Sequence, residues 1–355
     1  MNRRRLLVVA GVLATTACAP SPALLYPAEL AWVFEAGDYV RSAPASGEGV
    51  IFFGSDDNNV YAVDAQSGEL RWSFTTEDNV SASPLVSEEA VYIGSWDGVL
   101  YALDAHQGGL VRWTYSTGDW ITAAPALEGD TLYLGSRDGY LYALDERSGA
   151  RLWRWGPVGP ISSQPVVADD TIYLGSEDHR VYAIDLEAGT LRWSFTTGGP
   201  IRTAPAIGQG MVYVASGDGR LYALEARFGS LRWSGSAGYA VEGGPRLLGD
   251  RIYMGSNDGW LYAFAAQDGD LLWRLNIGAP IRSSPAVAQG TLFVGSDDNA
   301  LHALDAASGE LLWKYITRGD ISSAPLVVGD MLYFGSLDGR LYAFRLEPLD
   351  PEPEA

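Results

Sequence analysis

Cysteine, histidine, methionine and lysine are all scarce in this chain. It has one cysteine, three histidines and four methionines in 355 residues, and Lys314 is the single lysine. A lone thiol, Cys18, excludes a disulfide framework. His106, His179 and His302 stand on different parts of the sequence with no ligand spacing, so they read as surface or turn residues and not as metal ligands. No Ser/His/Asp grouping and no Gly-rich phosphate loop can be discerned; the Gly-Ser-x-Asp-Gly pieces read as hairpins. Basic side chains number 24 against 44 acidic ones, a formal charge of −20. Such a balance repels phosphate backbones and argues against a nucleic-acid partner. Beyond the first residues there is no apolar run long enough to cross a bilayer.

The N-terminus carries a shorter apolar run. Arg3, Arg4 and Arg5 precede Leu6 to Leu13, and Thr15-Thr16-Ala17 leads into Cys18. The order is that of an export signal, too short for a permanent anchor. It is similar to the bacterial lipobox, with Thr15 where that pattern usually has leucine. Asn2-Arg3-Arg4-Arg5-Leu6-Leu7 also loosely resembles a twin-arginine signal. The lipobox resemblance implies a signal peptide over residues 1–17, lipidation of Cys18 and a tether over 18–30 that contains Pro20, Pro22 and Pro27. It places the protein outside the cytoplasm, lipid-anchored to the periplasmic side of the outer membrane or to the outer face of the plasma membrane. An ordinary cleaved signal with an incidental cysteine is the other reading. Loss of residues 1–17 removes three arginines and takes the formal charge from −20 to −23.

What the chain has in abundance is glycine, tyrosine and tryptophan: 42, 19 and 12 residues. The tryptophans recur about every forty residues, as Trp32, Trp72, Trp113, Trp153, Trp193, Trp233, Trp273 and Trp313. A fixed period of this length marks one continuous repeat architecture, which overrides the two or three domains that length alone suggests. Each copy has four short runs rich in β-branched and aromatic residues, A to D, with the tryptophan on D. The B–C turn has aspartate at its tip in all eight copies, from Asp57 to Asp338. Glycine, asparagine or histidine follows, the residues that best tolerate positive φ, so the turn is a tight hairpin. Eight equivalent aspartates spread around a ring cannot converge on one ion. They read as side chains bonding their own turns.

The C–D units read Ala62…Asp64…Ser67-Gly68…Trp72, Ala143…Asp145…Ser148-Gly149…Trp153 and Ala303…Asp305…Ser308-Gly309…Trp313. This pattern resembles the tryptophan-docking motif of the quinoprotein (PQQ-repeat) propeller family. The resemblance implies that each indole lies between neighbouring blades, over the small alanine. Departures at Glu225, Ala265 and an inserted residue near Gly108-Gly109 predict looser docks there. Trp32 is a D run without A, B or C before it, and the last copy lacks D. The fold expected is therefore an all-β, eight-bladed β-propeller over residues 31–346, closed by the N-terminal strand joining the last blade. Residues 347–355 form an acidic, proline-rich tail. An open superhelical array would show polar caps at both ends, and none is visible.

The family includes dehydrogenases that bind pyrroloquinoline quinone (PQQ) and calcium, which are longer and use large insertions, acidic calcium ligands and often adjacent cysteines. This chain has nearly uniform repeats and no cysteine pair, so neither cofactor nor enzyme is expected. A lipid-anchored propeller of this size is similar to the BamB-like branch. That likeness implies a monomeric protein-interaction scaffold whose partner is a component of the outer-membrane barrel assembly machinery, with membrane attachment through the N-terminal lipid. A PQQ-dependent oxidoreductase and a sensor of an anionic ligand are the alternatives. Departures from the repeat locate the partner-binding face. Arg41, Arg202 and Arg282 stand where four of the eight copies have Ser or Thr (Ser81, Thr122, Ser162, Ser322), and Glu242 stands there in the remaining one. Tyr39 and Trp120 precede the A run, while Trp96 and Trp260 decorate B–C turns. Tryptophan, tyrosine and arginine are the types enriched in binding hot spots. The bland reading is that the arginines offset neighbouring acids and the rings pack on adjacent loops. Trp155, on a D run where other copies have Phe or Tyr, reads as core.

Overall fold

The structure, a computed structural model, describes residues 25–348. Cys18, the signal peptide and most of the acidic tail lie outside the described residues. Eight four-stranded antiparallel sheets follow one another, all without a helix among the described residues. Seven sheets are built from consecutive strands: blades 1 to 7 span residues 45–75, 85–116, 126–155, 166–196, 206–236, 246–276 and 286–316. The eighth takes Leu326–Val328, Met331–Ser336 and Arg340–Pro348 and is completed by the first strand, Leu25–Glu35. Trp32 pairs with Ala343 as every other docking tryptophan on D pairs with its C-strand alanine. The ring is closed by this borrowed strand, which leaves blade 8 no unfinished edge. The strand begins at Leu25 and its partner ends at Pro348, so the propeller extends beyond the 31–346 boundaries expected; residues 25–30 and 347–348 are strand and not tether or tail. Pro27 is admitted there beside a register shift, on the outer edge where proline costs least.

Burial grades outward. The B and C strands are almost wholly buried, as Val50–Gly54 and Leu141–Asp145 show. Their near-continuous apolar runs pack on both faces, against the blade before and the blade after. The core therefore lies between blades: Tyr133, Leu141 and Ala143 of blade 3 meet Ile172, Leu174 and Ile184 of blade 4, with Ile161 of the link between the two. The D strands are half-exposed, in the alternation that an outer strand with one wet face requires.

The indole docks tie blade to blade. A one-residue register shift follows each C-strand alanine on its pairing with D, as between Ala223 and Leu224. Trp193 then lays its ring on Gly229 of the next C–D turn, where a Cβ would stand 2.5 Å from Cε3. Only glycine fits that approach, and φ there is +69°. The Trp193 Nε1 donates to the Ala226 carbonyl at 2.9 Å, and the Tyr173 hydroxyl donates to the same oxygen at 3.2 Å. This doubled bond recurs at Ala266 and Ala306, and at Ala65, where Trp32 and Tyr333 carry the ring across its closure at 3.1 and 3.0 Å. The B-strand tyrosine is a part of the dock the repeat pattern does not announce. The departures do not loosen it as expected. Next to Glu225, Trp193 docks as above. On the blade with Ala265, Trp233 of the preceding blade keeps its bond to Ala266 and its place on Gly269. The clamp is made by the backbone and the glycine, so the aspartate is dispensable. Only the insertion leaves a trace: Trp72 holds the Ala105 carbonyl at 3.3 Å, the longest of these bonds.

Candidate functional site at the channel mouth

Strands alternate in direction, so the B–C turns and the links between blades emerge on one face around the central channel. The tip aspartates fix that face. Asp138 Oδ1 accepts from Tyr140 N at 3.0 Å, while Oδ2 accepts from the Tyr142 hydroxyl at 2.6 Å and from Gly118 N at 2.7 Å. One carboxylate thus binds its own turn, the C strand and the link from the preceding blade. The residue after it has positive φ in all eight copies, including Asn58, His179 and Asn299. Burial raises the C-strand tyrosines, and the aspartates add to it; Tyr222 and Tyr262 are pushed up to about 12. Seven blades have tyrosine at this position and blade 7 has His302. Contrary to the surface or turn role expected, His302 is 3% exposed, with Nε2 3.1 Å from Asp298 Oδ2. Burial holds its imidazole below the ordinary value, against the opposing pull of Asp298. Lys314 completes the cluster at 2.7 Å from the same carboxylate.

On this rigid face the sequence-selected residues fall into three groups. In blade 1, Arg41 lies over the Tyr39 ring at 5.0 Å and donates from Nε to Asp56 at 2.6 Å. Across blades 2 to 5 runs a continuous chain. Trp96 Nε1 donates to Ser81 Oγ at 2.7 Å, and its ring stacks on Trp120 with centroids 4.5 Å apart and planes 10° apart. Arg137 covers Trp120 at 5.8 Å and reaches Glu177 at 2.6 Å; Arg202 holds the other oxygen of Glu177 at 3.4 Å. Burial raises the Glu177 carboxyl, but Ser162 and the two arginines outweigh it and keep the group below its ordinary value. In blades 6 and 7, Arg282 donates to Glu242 at 3.0 Å and also meets Asp297. Trp260 joins none of these groups. It packs on the blade 6 core under Arg274, 4.5 Å from its ring. Trp155 sits edge-on to Tyr182 beside the core, as expected. Arg137 and Glu177 were missed, although the residue after each Gly-Ser varies as strongly as the one after the A-run Ile or Val.

The mouth opens into a cavity of about 780 Å³ lined by all eight blades. Arg41, Arg202, Glu242 and Arg282 line it, while Tyr39, Trp96 and Trp120 stand outside it. Tyr39 and Trp120 are 43% and 41% exposed. Among the described residues no group of three His, Cys, Asp or Glu side chains is placed to hold a metal.

The comparisons agree with this architecture. The family model described as outer membrane protein assembly factor BamB matches residues 28–144, 137–284 and 257–347. The chain belongs to the BamB family. BamB from Moraxella catarrhalis is similar in structure, with a TM-score of 0.78 and 22% identity over 91% of this chain and 100% of the other. A computationally designed protein, Ika8, matches with a TM-score of 0.80 and 18% identity over 90% of this chain and all of its own. The quinohemoprotein alcohol dehydrogenase of Comamonas testosteroni matches with a TM-score of 0.75 and 16% identity over 93% of this chain and 78% of its own. At such identities the likeness carries the fold alone, since one fold hosts scaffolds, designs and oxidoreductases alike. No curated protein matches the chain in sequence.

Proposed function

We propose that this BamB-family propeller is a non-catalytic, extracytoplasmic scaffold, lipid-anchored through Cys18, that docks a component of the outer-membrane barrel assembly machinery on its channel mouth. The observation that carries the reading is the Trp96–Trp120 stack. Its inner indole is fixed by Ser81, its flank is covered by Arg137, and Trp120 is still 41% exposed. A flat aromatic surface held in place before binding loses little side-chain entropy when a partner covers it. Tyr39 over Arg41, on blade 1, extends the same rim.

Against a quinone-dependent oxidoreductase, the residues lining the channel do not fit the cofactor. None is aromatic, so no side chain offers a platform for a fused ring. Glu242 is the single carboxylate among them and is already engaged by Arg282, which leaves no acidic set for calcium.

The test is binding of the purified full chain to the periplasmic domains of the machinery's central barrel protein. Trp120→Ala should weaken binding by about thirtyfold or more, the loss of one aromatic hot spot. Arg202→Ala should weaken it less, and both variants should unfold at the wild-type temperature. Unchanged affinity in both variants would remove the mouth from the interface.

A further inference from the structure

The dock between blades 1 and 2 departs from the repeat three times in one place. The B strand of blade 1 has Phe52 where blades 4, 5, 6 and 8 have the tyrosine that shares the acceptor carbonyl. No hydroxyl therefore joins Trp72 Nε1 on the Ala105 carbonyl, and that bond is 3.3 Å long. The inserted residue slides the C–D turn of blade 2 along the indole. In the other six turns a glycine with positive φ lies nearest Cε3 or Cδ2, at the six-membered ring. Here Gly108 lies over Cγ and Cδ1, at the five-membered ring, and the positive-φ glycine, Gly109, has left the indole. Last, the inner strand of blade 2, Leu85–Val86, is one residue shorter than those of the other seven blades and runs into Ser87-Glu88-Glu89.

Together these changes leave a cavity of about 310 Å³ between the two blades, on the face opposite the channel mouth. That is large enough for a small organic molecule. Trp72, Phe52 and Val86 form its apolar wall, and Glu48, Glu88 and His106 its polar one. His106, on the shifted turn, spans from one blade to the other. Its Nε2 is 3.2 Å from the Glu88 carbonyl oxygen, and its Nδ1 is 3.6 Å from Glu48 Oε2. A carbonyl can only accept, so the ring hydrogen belongs on Nε2, and in the neutral ring Nδ1 is an acceptor. Nδ1 and the Glu48 carboxylate then face each other with no proton between them. Arg71, the arginine that lines the cavity, is already held by Asp64 at 2.7 Å and does not fill that gap.

An aromatic wall beside two facing acceptors selects its guest by shape and by charge. A flat ring packs on the indole, and a cation is favoured there both by the ring face and by the carboxylate. A neutral or anionic guest would leave the acceptors unpaired. From this arrangement we propose that the cavity between blades 1 and 2 binds a small aromatic amine, its ring against Trp72 and its ammonium donating to Glu48 and to His106 Nδ1. The site lies across the molecule from Trp120 and is independent of the docking face, so either can fail without the other.

The test is isothermal titration of the full chain at about pH 8, above the ordinary histidine range, with three probes that share one ring: phenethylamine, phenylethanol and phenylacetate. The amine should bind at one saturable site, the alcohol at least about tenfold more weakly, and the carboxylate not at all. Glu48→Gln should weaken the amine by about tenfold and leave the alcohol unchanged. Phe52→Tyr returns the hydroxyl that other blades place on this carbonyl and takes up room beside Trp72. It should weaken the amine by a similar factor without lowering the melting temperature. Glu48 is an exposed turn residue, so its variant reports on binding even if Phe52→Tyr is destabilised. No saturable binding of the amine, equal binding of amine and alcohol, or unchanged amine affinity in Glu48→Gln overturns the proposal.

Discussion

Two glycines measure how much the indole docks hold the ring together. Gly269 has φ +80°, and a Cβ there would stand 2.5 Å from Cε3 of Trp233. Gly249, in an A–B turn, has φ +56° with nothing within 4 Å of its Cβ position. Alanine at either site meets the cost of a left-handed L-residue, about 1–2 kcal/mol. Gly269→Ala must also displace the indole. Trp233 has little freedom to retreat, because its Nε1 is bonded to Ala266 and its ring is packed beside Tyr213 with centroids 5.9 Å apart. Overpacking of this kind adds about 1–3 kcal/mol. The backbone contribution largely cancels in the comparison, so the difference between the variants isolates the dock. Urea unfolding followed by tryptophan emission should give Gly269→Ala a lower midpoint than Gly249→Ala, by the equivalent of about 1–3 kcal/mol. Equal midpoints would mean that the indole wedge does not support the ring, and the account of blade cohesion given above would fail.

Two further outcomes follow from the same geometry. Trp32→Ala removes the dock at the closure, an aromatic-to-alanine loss of about 3–5 kcal/mol; amides of Leu25–Glu35 and Arg340–Pro348 should exchange much faster than those of blade 4, and uniform exchange would refute closure by the borrowed strand. His302 gives a pH dependence with a definite sign. Its folded pKa lies below the unfolded 6.5 because burial disfavours the imidazolium, so its contribution is complete above pH 6.5. That contribution is lost as pH falls from there through the depressed folded value, where the unfolded chain takes up a proton the folded one resists. His302→Tyr restores the phenol–aspartate pair of the other seven blades, and its melting temperature should fall less between pH 7 and about 5.5 than that of the wild type. Equal falls would place the titration elsewhere.

How much of this was legible in advance depends on where each residue's partner lies. The alanine, glycine and tryptophan of one C–D unit lie within eleven residues and recur, so the blade count and the closing strand could be read from spacing. The second half of each dock could not: the Trp193 acceptor is Ala226 and that of Tyr173 is the same atom, and nothing in a linear repeat says that these three residues meet until the ring is drawn. The same applies more strongly at the mouth. Arg137 and Glu177 sit one repeat apart and become partners only because blades 3 and 4 turn their B–C tips toward each other. A residue such as Glu242 reads as a functional outlier alone but as half of an ion pair beside Arg282. In a closed array, then, repetition reveals the scaffold while departures from it must be judged in pairs across blades. At the mouth, the departure that remains open after that sorting is the exposed Trp120 face, where a partner has a surface left to cover.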